Sequence, residues 1–307
     1  MIKLKRKTKE QEDTRISSMV EHPSKGDRAI DVFVVVLCGL IAFCSVIPMW
    51  HVLMSSLSDG KLLLAHEGIV WLPIGEVTLE GYSHIFKDAS ILQGYFNTVL
   101  YTFSSTALGF FIAALAGYAM SRETKLKNVM ILMLMTTMLF SGGMVPTYMV
   151  IRALGWVGTR WALIIPGCTN AMFMIMMMNA FRAVPQEMYE AARIDGAGHF
   201  RTMSQIMLPQ AMNLGTVTIL NSVIIQWNSW MPATIYTPNN KKLWPLQLWI
   251  RQISANNENF LRSANPDYSR YLIRYAVIVA AVLPIVILFP FFQDKLEKGV
   301  IGGGVKG

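Results

Sequence analysis

The chain has 307 residues, 53% of them apolar and only 15% charged, with a formal net charge of +8. So few charges among so many apolar residues exclude a water-soluble globular protein of this size. The positive balance comes without interleaved aromatic residues or a nucleic-acid-binding motif, so no nucleic acid is expected as a partner, and the charge reads as a membrane-orientation signal.

A spanning helix needs about 20 mostly apolar residues to cross roughly 30 Å of hydrocarbon, and a charge at mid-bilayer costs on the order of 3 kcal/mol. Charge-free runs therefore mark the spans. Six occur, between Asp31 and Asp59, Asp88 and Arg122, Lys127 and Arg152, Arg160 and Arg182, Arg201 and Lys241, and Arg274 and Asp294. Strict period-2 alternation is absent, which argues against a barrel. The predicted fold is an all-α polytopic membrane protein of six transmembrane helices, with a cytoplasmic helix–turn–helix between spans four and five.

In chain order, residues 1–28 form a basic tail with no apolar h-region, so residues 29–56 read as an uncleaved first transmembrane helix. Residues 57–95 form an extracellular segment, in which EGYSHIFKDASILQGYFNT suits a short interfacial helix leading into span two. Residues 96–293 form the membrane core, five helices with a cytoplasmic loop at 185–209 and an extracellular loop at 241–274; residues 294–307 are a C-terminal tail. The short SRETKLKN connection makes spans two and three antiparallel neighbours. In span three, Gly142, Gly143 and Pro146 break or bend the helix near the outer face. Span four carries Pro166 and Gly167, followed by Thr169 and Asn170, a kink that either faces a cavity or is satisfied by neighbouring helices. Span five is placed from about Gln210 to Met231, with Pro232 and Pro238 marking an irregular exit.

Orientation follows from Lys and Arg. With both termini, the Arg122–Lys127 connection and the fourth-to-fifth connection from Arg182 through the 185–209 loop placed in the cytoplasm, 17 of the 27 basic residues lie inside. Cys38, Cys44 and Cys168 fall within spans and form no CxxC pair, no HExxH occurs, and no G-x-x-x-x-G-K-[ST] loop is present. Neither a metal site nor ATP binding through a phosphate loop is expected on this chain.

The most informative stretch is EAARIDGAGHFRTMSQIMLP, residues 190–209. Pro185 can occupy the first helical position, Glu187 and Glu190 complement the positive end of the helix dipole, and Glu190 can pair with Arg193 three residues on. Ala191 and Ala192 keep one face thin, and Gly196 and Gly198 end the turn. A second short helix from His199 to Met207 follows, with Pro209 at the entry to span five.

Glu190, Ala191, Ala192, Gly196, Ile206, Leu208 and Pro209 stand at offsets that resemble the EAA loop of bacterial ABC importer permeases, the loop that docks on the ATP-hydrolysing subunit; Arg193 and Asp195 lie within it. The resemblance extends over SGGMVPTYMVIRALGWVGTRWALIIPG, FRAVPQEMYEAARIDGA, WNSWMPATIY, PLQLWIR and KGVIGGGVKG, from about Gly81 to Gly307, and is similar to the carbohydrate-uptake permeases of the complex oligosaccharide and polygalacturonan branch.

The resemblance implies a multi-pass protein of the bacterial cell membrane with both termini cytoplasmic. It implies a non-catalytic subunit paired with a second, different permease on two ATPase subunits, and served by an extracellular sugar-binding lipoprotein. ATP and Mg would be bound by the partner ATPase, with no cofactor on this chain. It also implies that the tail from Gly302 to Gly307 contacts the ATPase pair, and that an oligosaccharide passes a midplane cavity partly formed by span five. Asn221, Gln226, Trp227, Asn228 and Trp230, with Asn170 of span four, are the candidates for that path. Amides suit sugar hydroxyls, indoles suit pyranose faces, and Trp227 and Trp230 are three apart on one helical face. The same residues also serve as architecture, Trp at interfaces and Asn or Gln between helices.

Lys241, Lys242, Arg251, Arg262, Arg270 and Arg274 make the outer loop basic, fit to attract an anionic saccharide or an acidic face of the binding protein, or simply solvated. An ion-coupled secondary transporter or channel is the competing reading; it calls for an ionisable residue inside a span, and only His51 comes near. An ABC permease for a non-sugar substrate is the other alternative.

Overall fold

The computed structural model describes residues 25–254 and 267–304; most of the basic tail, Arg262 and the last three residues lie outside the described residues. The regular elements among them are all helical: α1 Lys25–Ser56, α2 Gly60–Ala65, α3 Glu80–Lys87, α4 Ala89–Ser121, α5 Lys127–Leu139, α6 Met144–Ala153, α7 Trp161–Cys168 and α8 Ala171–Ala183. There follow α9 Gln186–Ile194, a continuous helical run α10 His199–Trp227, α11 Met231–Tyr236, α12 Leu246–Ser254 and α13 Asp267–Gly304. A helix satisfies all its backbone polar groups internally, which is the requirement that an apolar solvent imposes.

Among the described residues, four helices are long and apolar enough to cross a membrane, and six spans result only if α5 with α6, and α7 with α8, each count as one. The runs predicted as spans three and four are thus each a bent pair of helices instead of one helix. The α5–α6 pair turns through 114°. Gly143 takes φ +80° there, a backbone region open to glycine, and Pro146 lies in the first turn of α6, where its missing N–H is harmless. At 1.5 Å per residue α5 is about 20 Å long, short of the roughly 30 Å of a hydrocarbon core. The α7–α8 pair bends by 42° just after Pro166 and Gly167. The Gly167 carbonyl accepts a hydrogen bond from Gln226 Nε2 at 2.6 Å, so a group freed at the break finds a partner on α10.

Span five differs most from expectation. The predicted separate helix at His199–Met207 and the predicted start near Gln210 merge into one run, α-helical at His199–Arg201, π-helical at Thr202–Met207 and α-helical again to Trp227. The widened turn explains how Pro209 is carried inside a helix. Leu208 N–H bonds back to Met203 O, five residues earlier, in the turn where a proline ring would crowd an ordinary helix.

The long helix α4 is the axis of the bundle, with α8, α10, α7 and α12 packed against it. It approaches them at glycines: a Cβ on Gly117 would lie 2.7 Å from Met178 N, and one on Gly109 would lie 2.5 Å from Cys168 O. Such small-residue contacts let backbones meet where no water drives helices together. Hydroxyls and amides complete the joints. Ser105 Oγ donates to Ile164 O at 3.1 Å, Thr106 and Ser222 hydroxyls pair at 3.1 Å, and buried Asn97 donates to Lys242 O and Trp244 O at 2.8 and 3.1 Å.

The last helix, α13, closes the bundle against α10 and α3 and carries α1 on its outside. No residue of α5 is buried, and α1 exposes large apolar residues from Ile30 to Trp50, surfaces that lipid or another apolar chain would cover. His51 Nδ1 accepts the Val70 N–H at 3.0 Å and its ring meets Tyr275 edge-on, so it ties the 66–79 segment to the bundle.

Candidate functional site

At one end of the bundle, Val184 and Pro185 adopt extended backbone and swing the chain from α8 into α9. Pro185 is therefore the cap residue, one place before the predicted first helical position, and its carbonyl accepts the Met188 N–H at 3.2 Å. Ala192 is buried and Met188 and Tyr189 are half-buried against the core that holds Tyr118, Phe181 and Met203. Glu190 and Ala191 face outward.

The helix ends in a Schellman stop. Gly196 has φ +75°, Ala197 N–H bonds Ala192 O at 2.9 Å, and Gly196 N–H bonds Arg193 O at 3.1 Å. Ala192 and Ala197 are both buried, supplying the apolar contact that accompanies such a stop. Arg193 Nη1 donates to Ala197 O at 3.1 Å, while Glu190 accepts from Gln186 Nε2 at 3.4 Å. The predicted Glu190–Arg193 pair is thus replaced by two local bonds, because the stop presents a carbonyl within reach of the guanidinium. Asp195 caps α9, exposed. Gly198, unlike Gly196, is extended and caps α10. Ile206 and Leu208 are half-buried on α10, and Pro209 is exposed.

The loop presents two large apolar side chains that the sequence reading did not single out: Ile194, 86% exposed, and Phe200, 65% exposed. Periodicity could have found Ile194, since two residues past inward-facing Ala192 is the opposite face of a helix. Exposed apolar residues beside Glu190, Arg193 and Asp195 have the composition of a docking surface.

The span-five candidates do not converge. Trp227 is 6% exposed, with Nε1 donating to Ala281 O at 3.0 Å across to α13. Gln226 bridges to the α7 break, and Asn170 caps α8 by accepting the Met172 N–H at 2.9 Å. Asn221 and Asn228 are exposed and donate to carbonyls of their own helix, Val217 O at 3.0 Å and Ile224 O at 2.8 Å. Trp230 lies beyond the end of α10 as the cap of α11, so it shares no helical face with Trp227. Its indole carries the Arg251 guanidinium 3.6 Å above the ring. Beside it, Thr98, Tyr101, Gln226 and Ser229 line a narrow cleft of about 20 Å³, room for about one water molecule.

Residues 89–302 match the family described as binding-protein-dependent transport system inner membrane component. The chain belongs to this family. Among its relatives, Protein LplC of Bacillus subtilis (strain 168) is 31% identical over 93% of this chain and 98% of its own length. The polygalacturonan/rhamnogalacturonan transport system permease protein YtcP of the same organism is 30% identical over 92% and 99%. A solved bacterial ABC transporter involved in the import of the acidic polysaccharide alginate has a chain of the same fold, with TM-score 0.79, 24% identity and coverage of 90% of this chain and 100% of that one.

In this inner-membrane component the residues that hold the 185–209 loop come partly from outside it. Tyr118 near the end of α4 meets Phe181 edge-on and approaches His199 with its hydroxyl 3.4 Å from Nδ1. Just beyond α4, Lys127 bonds Glu123; that hydrogen bond, with the charge behind it, holds the exposed Glu123 carboxyl below its usual range.

Proposed function

We propose that this chain is one of two different permease subunits of an ATP-driven importer, and that it translocates an acidic oligosaccharide handed over by an extracellular binding lipoprotein. The observation that carries the proposal is the Schellman-closed loop of a binding-protein-dependent transport component, with Ile194 and Phe200 exposed at its surface. It would dock on one of two ATPase subunits, which bind ATP and Mg. Their closure would push α9 and, through the unbroken run from His199 to Trp227, span five. Alternating access would then follow as rigid-body motion of helix groups. In this reading the loop end faces the cytoplasm of a bacterial cell, with both termini on that side.

Two relatives support the substrate class by what they handle, polygalacturonan in one case and alginate in the other, both uronate polymers. On this chain Arg251 supports it. Its guanidinium lies over Trp230 and the residue is exposed at the end away from the loop, where its N–H groups suit a carboxylate. The indole face beneath it is covered, so Trp230 supports the cation instead of offering that face to a pyranose ring.

Arg251→Gln tests the substrate class. Uptake of galacturonate oligomers should slow about fivefold at low ionic strength and less at high salt, with neutral oligosaccharides unaffected. Equal uptake of galacturonate oligomers by variant and wild type at every salt concentration would contradict it.

A further inference from the structure

The 185–209 loop is held at its entrance by a residue outside it, Arg122, the C-cap of α4. The guanidinium is half-buried, and each of its three nitrogens has a partner. Nε donates to Ser121 Oγ at 3.0 Å, Nη2 to Phe181 O at 3.3 Å and Nη1 to Gln186 Oε1 at 3.3 Å. The plane also lies over two aromatic rings, 4.7 Å from the centre of Tyr189 and 5.8 Å from that of Tyr118.

These partners span the joint between α8 and α9. Phe181 is in the last turn of α8, where carbonyls lack helical N–H partners and the dipole favours a cation. Gln186 and Tyr189 are in the first turns of α9, on the other side of the two extended residues Val184 and Pro185. Across two extended residues no helical hydrogen bond fixes the angle between α8 and α9, so it is set by the packing of Ala192, Met188 and Tyr189 and by this cross-brace. Gln186 passes the contact on, since its Nε2 donates to Glu190 at the head of the E-A-A run. One turn earlier on α4, Tyr118 reaches His199 at the start of α10.

We infer that Arg122 is a positioning residue that locks α9 to α4, so that a push on the loop is delivered to span two as well as to span five. The inference rests on the ATPase-docking reading above. Arg suits the task and Lys does not: a planar fork serves a carbonyl, an amide and a ring at once, whereas an ammonium is a single point charge.

The test uses the assembled importer purified through a tag on this chain, with Cys38, Cys44 and Cys168 replaced by Ser. Ser229→Cys, in the cleft at the far end, reports by its labelling rate with a membrane-impermeant maleimide, with and without ATP and vanadate. The unmodified strut should give a nucleotide-dependent change of at least about fivefold, the low end of ordinary coupling energies. In Arg122→Ala that change should collapse toward unity while the complex stays assembled and ATP hydrolysis persists; Arg122→Lys should fall between. A residue needed only for folding would instead lower assembly, hydrolysis and labelling response together. The double variant Gln186→Ala/Tyr189→Leu leaves the Phe181 contact intact and should show the same collapse, which keeps the test decisive if Arg122→Ala does not accumulate. A nucleotide response as large in these variants as with the strut intact overturns the strut alone. An importer with Arg122 intact that contains no ATPase overturns the docking reading, and the strut with it.

Discussion

Gly196→Asp is expected to give a chain that inserts, accumulates and binds its partner permease, yet supports no uptake. A Cβ at Gly196 meets nothing within 4 Å, so the chain itself has room for a side chain. The φ of +75° adds about 1–2 kcal/mol of strain, least for Asn or Asp. The larger penalty falls on docking. A carboxylate would stand in the exposed turn that links Ile194 to Phe200 in the chain, on the surface proposed to bury against the ATPase, and an unpaired charge there costs about 3 kcal/mol, on the order of 100-fold in docking affinity. Gly196→Ala carries the strain without the charge and should retain part of the transport. Membrane fractionation and uptake measured side by side separate the two effects, and normal uptake by Gly196→Asp would refute the role given to this loop.

Gly117→Leu is expected to act on the fold itself. The first atom of any side chain at Gly117 would lie 2.7 Å from Met177 Cβ and 2.7 Å from Met178 N, and the second of these is backbone that cannot rotate away. The helices α4 and α8 would have to part, opening the core that contains Tyr118, Met177 and Phe181 and carries the loop. Overpacking by a single methyl costs about 1–3 kcal/mol, and an isobutyl group exceeds that. Gly117→Ala should lower the thermal midpoint in detergent by several degrees, and Gly117→Leu should not yield a monodisperse protein. A Gly117→Leu chain that purifies with an unchanged midpoint would contradict the close α4–α8 contact.

The long apolar helices were legible because the signal is physical and local. A charge in mid-bilayer is expensive, so the runs between Asp88 and Arg122 or Arg274 and Asp294 could hold little else. The bends were legible in position but not in size: Gly142, Gly143 and Pro146 mark a break, whereas the 114° turn depends on which backbone region Gly143 settles in. Inside the loop, Gly196 was readable because a left-handed helix stop selects glycine. The partner of Arg193 was not, since the Ala197 carbonyl comes within reach only once the stop has folded.

The candidate path was least legible. Trp227 and Trp230 differ by three positions, but α10 ends between them, and one indole is buried against Ala281 while the other lies beneath Arg251. Their surroundings are set by α13 and α12, far away in sequence. Arg122 was hidden for a different reason: in a short connection a basic residue already has an explanation in membrane orientation, and its bonds to Phe181 and Gln186 exist only in three dimensions.

The most direct test of the central claim is to tag this chain, extract it gently from its native membrane and identify by mass spectrometry what co-purifies. The proposal predicts an ATPase, a second and different permease, and a binding lipoprotein that can then be screened against uronate and neutral glycans. A chain that purifies alone or only with copies of itself, with no ATPase even after crosslinking, would contradict it and favour an ion-coupled transporter.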